Sequence, residues 1–269
     1  MENGIYCVKF VFKSESVHLS DGWRHLFSKF GSSPLFTSYM GNSIKAQDWP
    51  NLNKYKKANA NLDETETSEN RIVLIGDSIT EFWGTIHPEF FAGKSYINRG
   101  ISGQTSPQML LRFRADVIAL KPKIVVILAG VNDIAGNTGP VTLEMITNNI
   151  FSMTDLAKAH NIKVLLCSVL PAADFPWKPN QEPADKIIAL NALLTDYANA
   201  NAIPFIDYHT AMADDRNGLP LAYSDDGVHP NKAGYAVMAP LLETAIQLAL
   251  AKRYPKKNIK QKKPIARAR

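Results

Sequence analysis

The stretch 71–80, RIVLIGDSIT, decides the fold. Arg71 to Ile75 is a short run of β-favouring apolar residues, and Gly76-Asp77-Ser78 breaks it. An apolar run this short, ended by turn residues, reads as a strand buried in a sheet. Working outward, Ser95 to Asn98, Lys123 to Ala129, Lys163 to Val169 and Pro204 to Asp207 have the same character. Between these strands lie longer stretches of helical period. Val141 to His160 places Met145, Ile146, Ile150, Met153 and Leu156 along one face, and Pro183 to Ala200 does so with Ile187, Leu190, Leu194 and Ala198. A last helix starts after Pro230 and carries Met238, Leu241, Leu242, Ala245 and Leu248. Pro240 inside it leaves a kink or a break open. Strands alternating with helices predict an α/β protein: a three-layer α/β/α sandwich with a five-stranded parallel sheet.

Composition agrees with a folded domain. The chain has 269 residues, of which 45% are hydrophobic, 20% charged and 9% aromatic, which excludes disordered, collagen-like and coiled-coil classes. No stretch approaches the roughly 20 uninterrupted apolar residues of a membrane span, and the run from Ile124 to Gly130 reads as a buried strand. The net charge of +5 is unevenly placed. Residues 252–269 hold nine basic and no acidic side chains, and residues 1–45 hold five basic and three acidic ones. Removing +9 and +2 from +5 leaves −6 on residues 46–251. The body is acidic, so nucleic acid is not expected as a partner. A membrane is not expected either, apart from weak contact through the basic tail.

Three regions follow: an N-terminal extension over 1–45, a main domain over 46–251 and the tail over 252–269. Glu2 replaces the basic start of a secretory signal and Lys9 interrupts the apolar stretch, which favours a cytoplasmic over an exported chain. The two cysteines, Cys7 and Cys167, form no C-x-x-C pair, so neither a disulfide framework nor a zinc site is expected.

In open parallel sheets ligands bind beyond the carboxyl ends of the strands. After the first strand, Gly76-Asp77-Ser78 can expose a serine hydroxyl on a turn, or can simply cap the next helix. After the second, Asn98 to Ser106 supplies glycines and a helix start with unpaired N–H groups. After the third, Asn132 can donate to a developing charge, with Asp133 able to orient the backbone. After the fifth, Asp226 and His229 are three apart on a turn, a spacing that lets a carboxylate orient an imidazole base. Asp207 and His209 form a rival pair that a continuing strand would hold on one face, but no helix start stands behind it, and a structural or rim role is expected for His209. Nucleophile, donors, base and orienting acid are together what acyl transfer requires.

These four blocks, in this order, resemble those of the SGNH hydrolases, also called GDSL esterases and lipases. The resemblance runs from about Asp48 to Ala251. It implies a flavodoxin-like sandwich and ester hydrolysis with no cofactor and no metal. It makes Ser78 the nucleophile, His229 the base and Asp226 its orienter. The oxyanion hole is then the Ser78 and Gly103 N–H groups with the Asn132 side chain. The implied activity is a serine esterase acting through an acyl-enzyme on a small-molecule or glycan ester. Carbohydrate O-acetylesterase and lysophospholipase are alternatives of the same fold, and a binding module without activity is the rival of another class. Phe82 and Trp83, and the segment 171–177 (PAADFPW), are candidates to wall the site. No sustained apolar lid is evident, which favours short acyl chains.

Overall fold

The computed structural model describes residues 48–62 and 70–251. The expected extension over 1–45, the basic tail over 252–269 and Cys7 lie outside the described residues. The strands are β1 (Ile72–Gly76), β2 (Tyr96–Gly100), β3 (Ile124–Ile127), β4 (Lys163–Cys167) and β5 (Phe205–Ile206). All pair in parallel, in the order β2-β1-β3-β4-β5. Ile72 stands opposite Tyr96 on one side and Ile124 on the other. β1 and β3 are buried along their whole length, because helices cover both faces of the sheet. That is why these strands read as unbroken apolar runs rather than alternating ones.

The helices are α1 (Lys56–Ala60), α2 (Ser78–Ile86), α3 (Ser106–Asp116), α4 (Val131–Ile134), α5 (Leu143–Ala159), α6 (Ala184–Ala200), α7 (Tyr208–Met212) and α8 (Lys232–Ala251). α3, α5 and α6 pack on one another in one layer, and α8 packs with α2 and α7 in the other. Their starts have local causes. Asp77 caps α2, Thr142 caps α5, and Thr105 with Gln108 forms a capping box on α3.

Two helix faces are rotated from expectation. In α5 the inward row is Ile146, Ile150, Met153 and Ala157, and Met145 is exposed. In α8 it is Tyr235, Met238, Leu242, Ile246 and Ala249, whereas Leu241 is exposed and Leu248 is 60% accessible. Each outward residue is one position, about 100° of helix, away from the buried row. α8 also runs unbroken through Pro240. That proline lies on the exposed side, where solvent can take up the carbonyl its missing N–H leaves unpaired. By length and composition α8 could cross a bilayer, although it contains no uninterrupted apolar run of that length; here its apolar row lies against the sheet and its neighbours.

One fully buried cation crosses the core beneath the strand ends. Arg112, on α3, donates from Nη2 to the Gly76 carbonyl at 3.0 Å, from Nε to Gln104 Oε1 at 2.6 Å and from Nη1 to Asp116 Oδ2 at 3.1 Å. Removing the guanidinium leaves a buried carboxylate without its cation. Arg112→Ala is therefore expected to cost about 3–5 kcal/mol of stability, measured by urea unfolding; a loss below about 1 kcal/mol, the range of an exposed pair, refutes the role given to it.

Candidate active site

β1 connects to β2 on one side of itself and has β3 on the other, so the loops after these three strands converge where the strand order reverses. Ser78 is the first residue of α2, one position after its cap. Asp77 accepts the Ile79 N–H at 2.9 Å, and Ser78 Oγ lies 2.8 Å from His229 Nε2. Capping and presentation of the hydroxyl are thus both realised, by adjacent residues.

His229 Nδ1 lies 2.6 Å from Asp226 Oδ2. An ionised carboxylate can only accept, so Nδ1 carries the proton of the neutral ring and Nε2 accepts from Ser78. Burial acts to raise the Asp226 pKa, but hydrogen bonds from the His229 ring and from the His229 and Val228 N–H groups outweigh it and hold the carboxyl below its ordinary range. Ser224 Oγ donates to Asp226 as well, at 3.1 Å. The turn carrying the pair is closed by Asn231 N–H donating to the Tyr223 carbonyl at 2.8 Å.

Among the described residues the Ser78 and Gly103 N–H groups have no acceptor. Ser78 owes this to its place in the first helical turn. Gly103 has φ +75°, a backbone that favours glycine. Asn132 Nδ2 donates to the Gln104 carbonyl at 3.1 Å, beside Gly103, and Asn132 Oδ1 accepts from Asn137 Nδ2 at 2.8 Å. That second bond fixes which end of the amide faces the loop. Asp133, whose pKa burial raises, accepts from Ser106 through both N–H and Oγ and so ties the β3 loop to the start of α3.

The rival pair is not brought together. β5 ends at Ile206, and Asp207 instead caps α7, accepting from the Thr210 N–H and Oγ1 at 3.0 and 2.6 Å. His209 Nε2 is buried with no partner. The two aromatics at 82 and 83 part company. Trp83, 2% exposed, stacks on Phe90 and Tyr235 in the core, whereas Phe82, 36% exposed, lies 5.4 Å from the His229 ring. Consecutive helical positions point about 100° apart, which separates them. Within 171–177, Phe175 is buried, and Trp177, 44% exposed, stacks on it and lies 5.9 Å from His229. Two cavities of about 520 and 350 Å³ are lined by Lys178 and Lys186 among others, and by Asp226 and Arg216 among others. Ser78 lines neither. No group of three His, Cys, Asp or Glu among the described residues could hold a metal ion.

A model of the GDSL-like Lipase/Acylhydrolase family matches residues 74–237. The chain belongs to that family. A GDSL-like lipase from Bacteroides thetaiotaomicron VPI-5482 shares 48% sequence identity with it and superposes with a TM-score of 0.72, covering 75% of this chain and 99% of that one. An acetylxylan esterase of Xylanibacter ruminicola is 27% identical over 215 residues, 66% of this chain and 43% of that protein. An acetylxylan esterase of Geobacillus stearothermophilus is 28% identical over 159 residues, 57% of this chain and 72% of that one. The chain thus spans less than half the length of the Xylanibacter relative.

Within this GDSL-family site, sequence reasoning overlooked Asn137, whose only signal was its place five residues after Asn132, and Glu81, three residues after Ser78 on the same helix. Asp77 has an unusual environment. Burial pushes its carboxyl up to about 7, against the opposing pull of the Ile79 N–H and of His229. A carboxyl whose folded pKa is raised binds its proton more tightly folded than unfolded, so the folded state loses stability as pH rises from the ordinary carboxylate range to the raised value. Asn can accept the same capping bond without titrating. The melting temperature of wild type relative to Asp77→Asn should therefore fall between pH about 4 and pH about 7 and then level off; a difference that does not vary with pH refutes the shift.

Proposed function

We propose that the chain is a serine esterase that hydrolyses short-chain carboxylic esters through an acyl-enzyme, with O-acetyl groups on carbohydrates as the favoured substrates. The observation that carries this reading is the 2.8 Å contact of Ser78 Oγ with His229 Nε2, in a ring held at Nδ1 by Asp226. His229 takes the hydroxyl proton as Ser78 Oγ bonds to the ester carbonyl carbon. The carbonyl oxygen becomes an oxyanion facing the Ser78 and Gly103 N–H groups and Asn132 Nδ2. His229 returns the proton to the departing alcohol. A water, deprotonated by the same nitrogen, then attacks the acyl carbon and releases the acid and Ser78. Asp226 keeps Nε2 unprotonated and facing Ser78, and balances the imidazolium.

One feature of the site supports a sugar on the leaving-group side. Exposed Phe82 and Trp177 flank His229 and offer flat apolar faces to a ring on the leaving-group side. The names of the two acetylxylan esterases point the same way.

Hydrolysis of p-nitrophenyl esters should decline as the acyl chain lengthens from acetate, and acetylated xylooligosaccharides should be deacetylated. Ser78→Ala should abolish turnover and labelling by a fluorophosphonate; labelling that survives refutes the nucleophile, and no hydrolysis of any ester by wild type favours a binding module. Asp226→Asn should lower kcat on the order of 10³- to 10⁴-fold with the fold intact, whereas His209→Ala should leave the rate near that of wild type.

A further inference from the structure

Gly103 lies in a short loop, Ile101 to Thr105, that has little backbone bonding of its own: Ile101 N–H donates to the Gly76 carbonyl at 3.0 Å and Gln104 N–H to the Ile101 carbonyl at 3.2 Å. Asn132 Nδ2 holds the Gln104 carbonyl at 3.1 Å, Asn137 Nδ2 the Gly103 carbonyl at 3.3 Å and Arg112 the Gln104 side chain; further restraint comes from residues 48–62, which precede the sheet and fall outside the family match at 74–237. Tyr55 OH donates to the Gly100 carbonyl just before the loop. Gln104 Nε2 donates to the Pro50 carbonyl at 2.8 Å just after Gly103. Between these two points stands Glu81. Its Oε2 accepts both the Ser102 N–H and the Ser102 Oγ, each at 2.7 Å, and its Oε1 is 2.7 Å from Lys54 Nζ.

We propose that residues 48–62 form a strap that sets the position of the Gly103 N–H, and that Glu81 is the positioning residue through which it acts. This rests on the reading of Gly103 as an oxyanion donor. Glu81 is three residues from Ser78 on α2, so its carboxylate fixes the residue before Gly103 in the frame of the helix that carries the nucleophile. Lys54 holds the other carboxylate oxygen and so keeps Oε2 turned to the loop. Burial acts to raise the Glu81 pKa, but Lys54 and Ser102 outweigh it, so the group remains an ionised double acceptor. A donor that drifts by an ångström stabilises the transition state poorly while ground-state binding is little changed. The strap therefore acts on kcat.

The test compares Glu81→Ala and Glu81→Gln with Lys94→Ala, which breaks the 2.8 Å Lys94–Glu243 ion pair, similarly half-exposed and outside the proposed machinery. Glu81→Ala should lower both kcat and the rate of fluorophosphonate labelling by about tenfold or more, with KM within about twofold. Hydrogen exchange should speed up at the amides of residues 101–104. Glu81→Gln, which still accepts from Ser102, should recover part of both and carries the comparison alone if the alanine variant does not fold. Lys94→Ala should lower the melting temperature and leave kcat unchanged. Equal labelling of wild type and Glu81→Ala, unchanged exchange over 101–104, or the same kcat loss in Lys94→Ala overturns the strap. A wild type that is neither labelled nor active overturns the esterase reading beneath it.

Discussion

A single guanidinium sets the geometry on which the rest of this structure depends. Arg112 reaches the carbonyl of Gly76, the last residue of β1, and the side chain of Gln104, the residue after Gly103, while paired to Asp116 in its own helix. The segment that presents Ser78 and the segment that presents Gly103 are thereby bonded to the same planar group. Arginine suits this task because its donors are fixed in one plane and remain charged when buried. A lysine at this position would hold one partner firmly and leave the others to compete.

Around that centre the candidate site is assembled in shells of decreasing burial. Asp77, Asn132, Asp133 and Ser106 are buried and bonded to loop backbone or to each other. Ser78 and His229 form the next layer, and Phe82 and Trp177 the rim. Polar groups in such a position are stabilising only when each finds a partner, and here the buried carboxylates of Asp77 and Asp133 are engaged by N–H donors. The aromatic stack of Trp83 on Phe90 and Tyr235 backs the helix that carries Ser78, and Tyr235 OH donates to the Ile79 carbonyl at 2.8 Å.

Much of this was legible in the sequence because it is local. All five strands fall within two residues of their expected ends, and the central β1, β3 and β4 do so because strands buried on both faces announce themselves as short apolar runs. Ser78, Asp226 and His229 stood out because each follows a strand and sits among turn residues. What was not legible is set by angle or by distance along the chain. Which of two adjacent apolar residues faces inward in α5 and α8, and which of Phe82 and Trp83 does in α2, depends on a helical phase that a few neighbouring residues do not fix. The bonds from Pro50 and Tyr55 to the loop at 100–104 join positions about fifty residues apart and use a backbone carbonyl and a phenol, neither of which leaves a pattern. Asp207 and His209 could be kept as a rival pair only on the assumption of a continuing strand: β5 is two residues long, and the chain has turned into α7 before the period of a strand could apply.

The brevity of β5 has a kinetic side. β1 is bonded along both edges, whereas β5 has one neighbour and two residues of pairing, and it is the loop beyond β5 and α7 that delivers Asp226 and His229. Edge segments with few bonds open at lower free energy than central ones. Ser78 thus follows a strand paired along both edges, and His229 lies in chain that follows the most briefly paired one. Loss of the contact between the two would require only local fraying at β5, an opening of lower free energy than global unfolding.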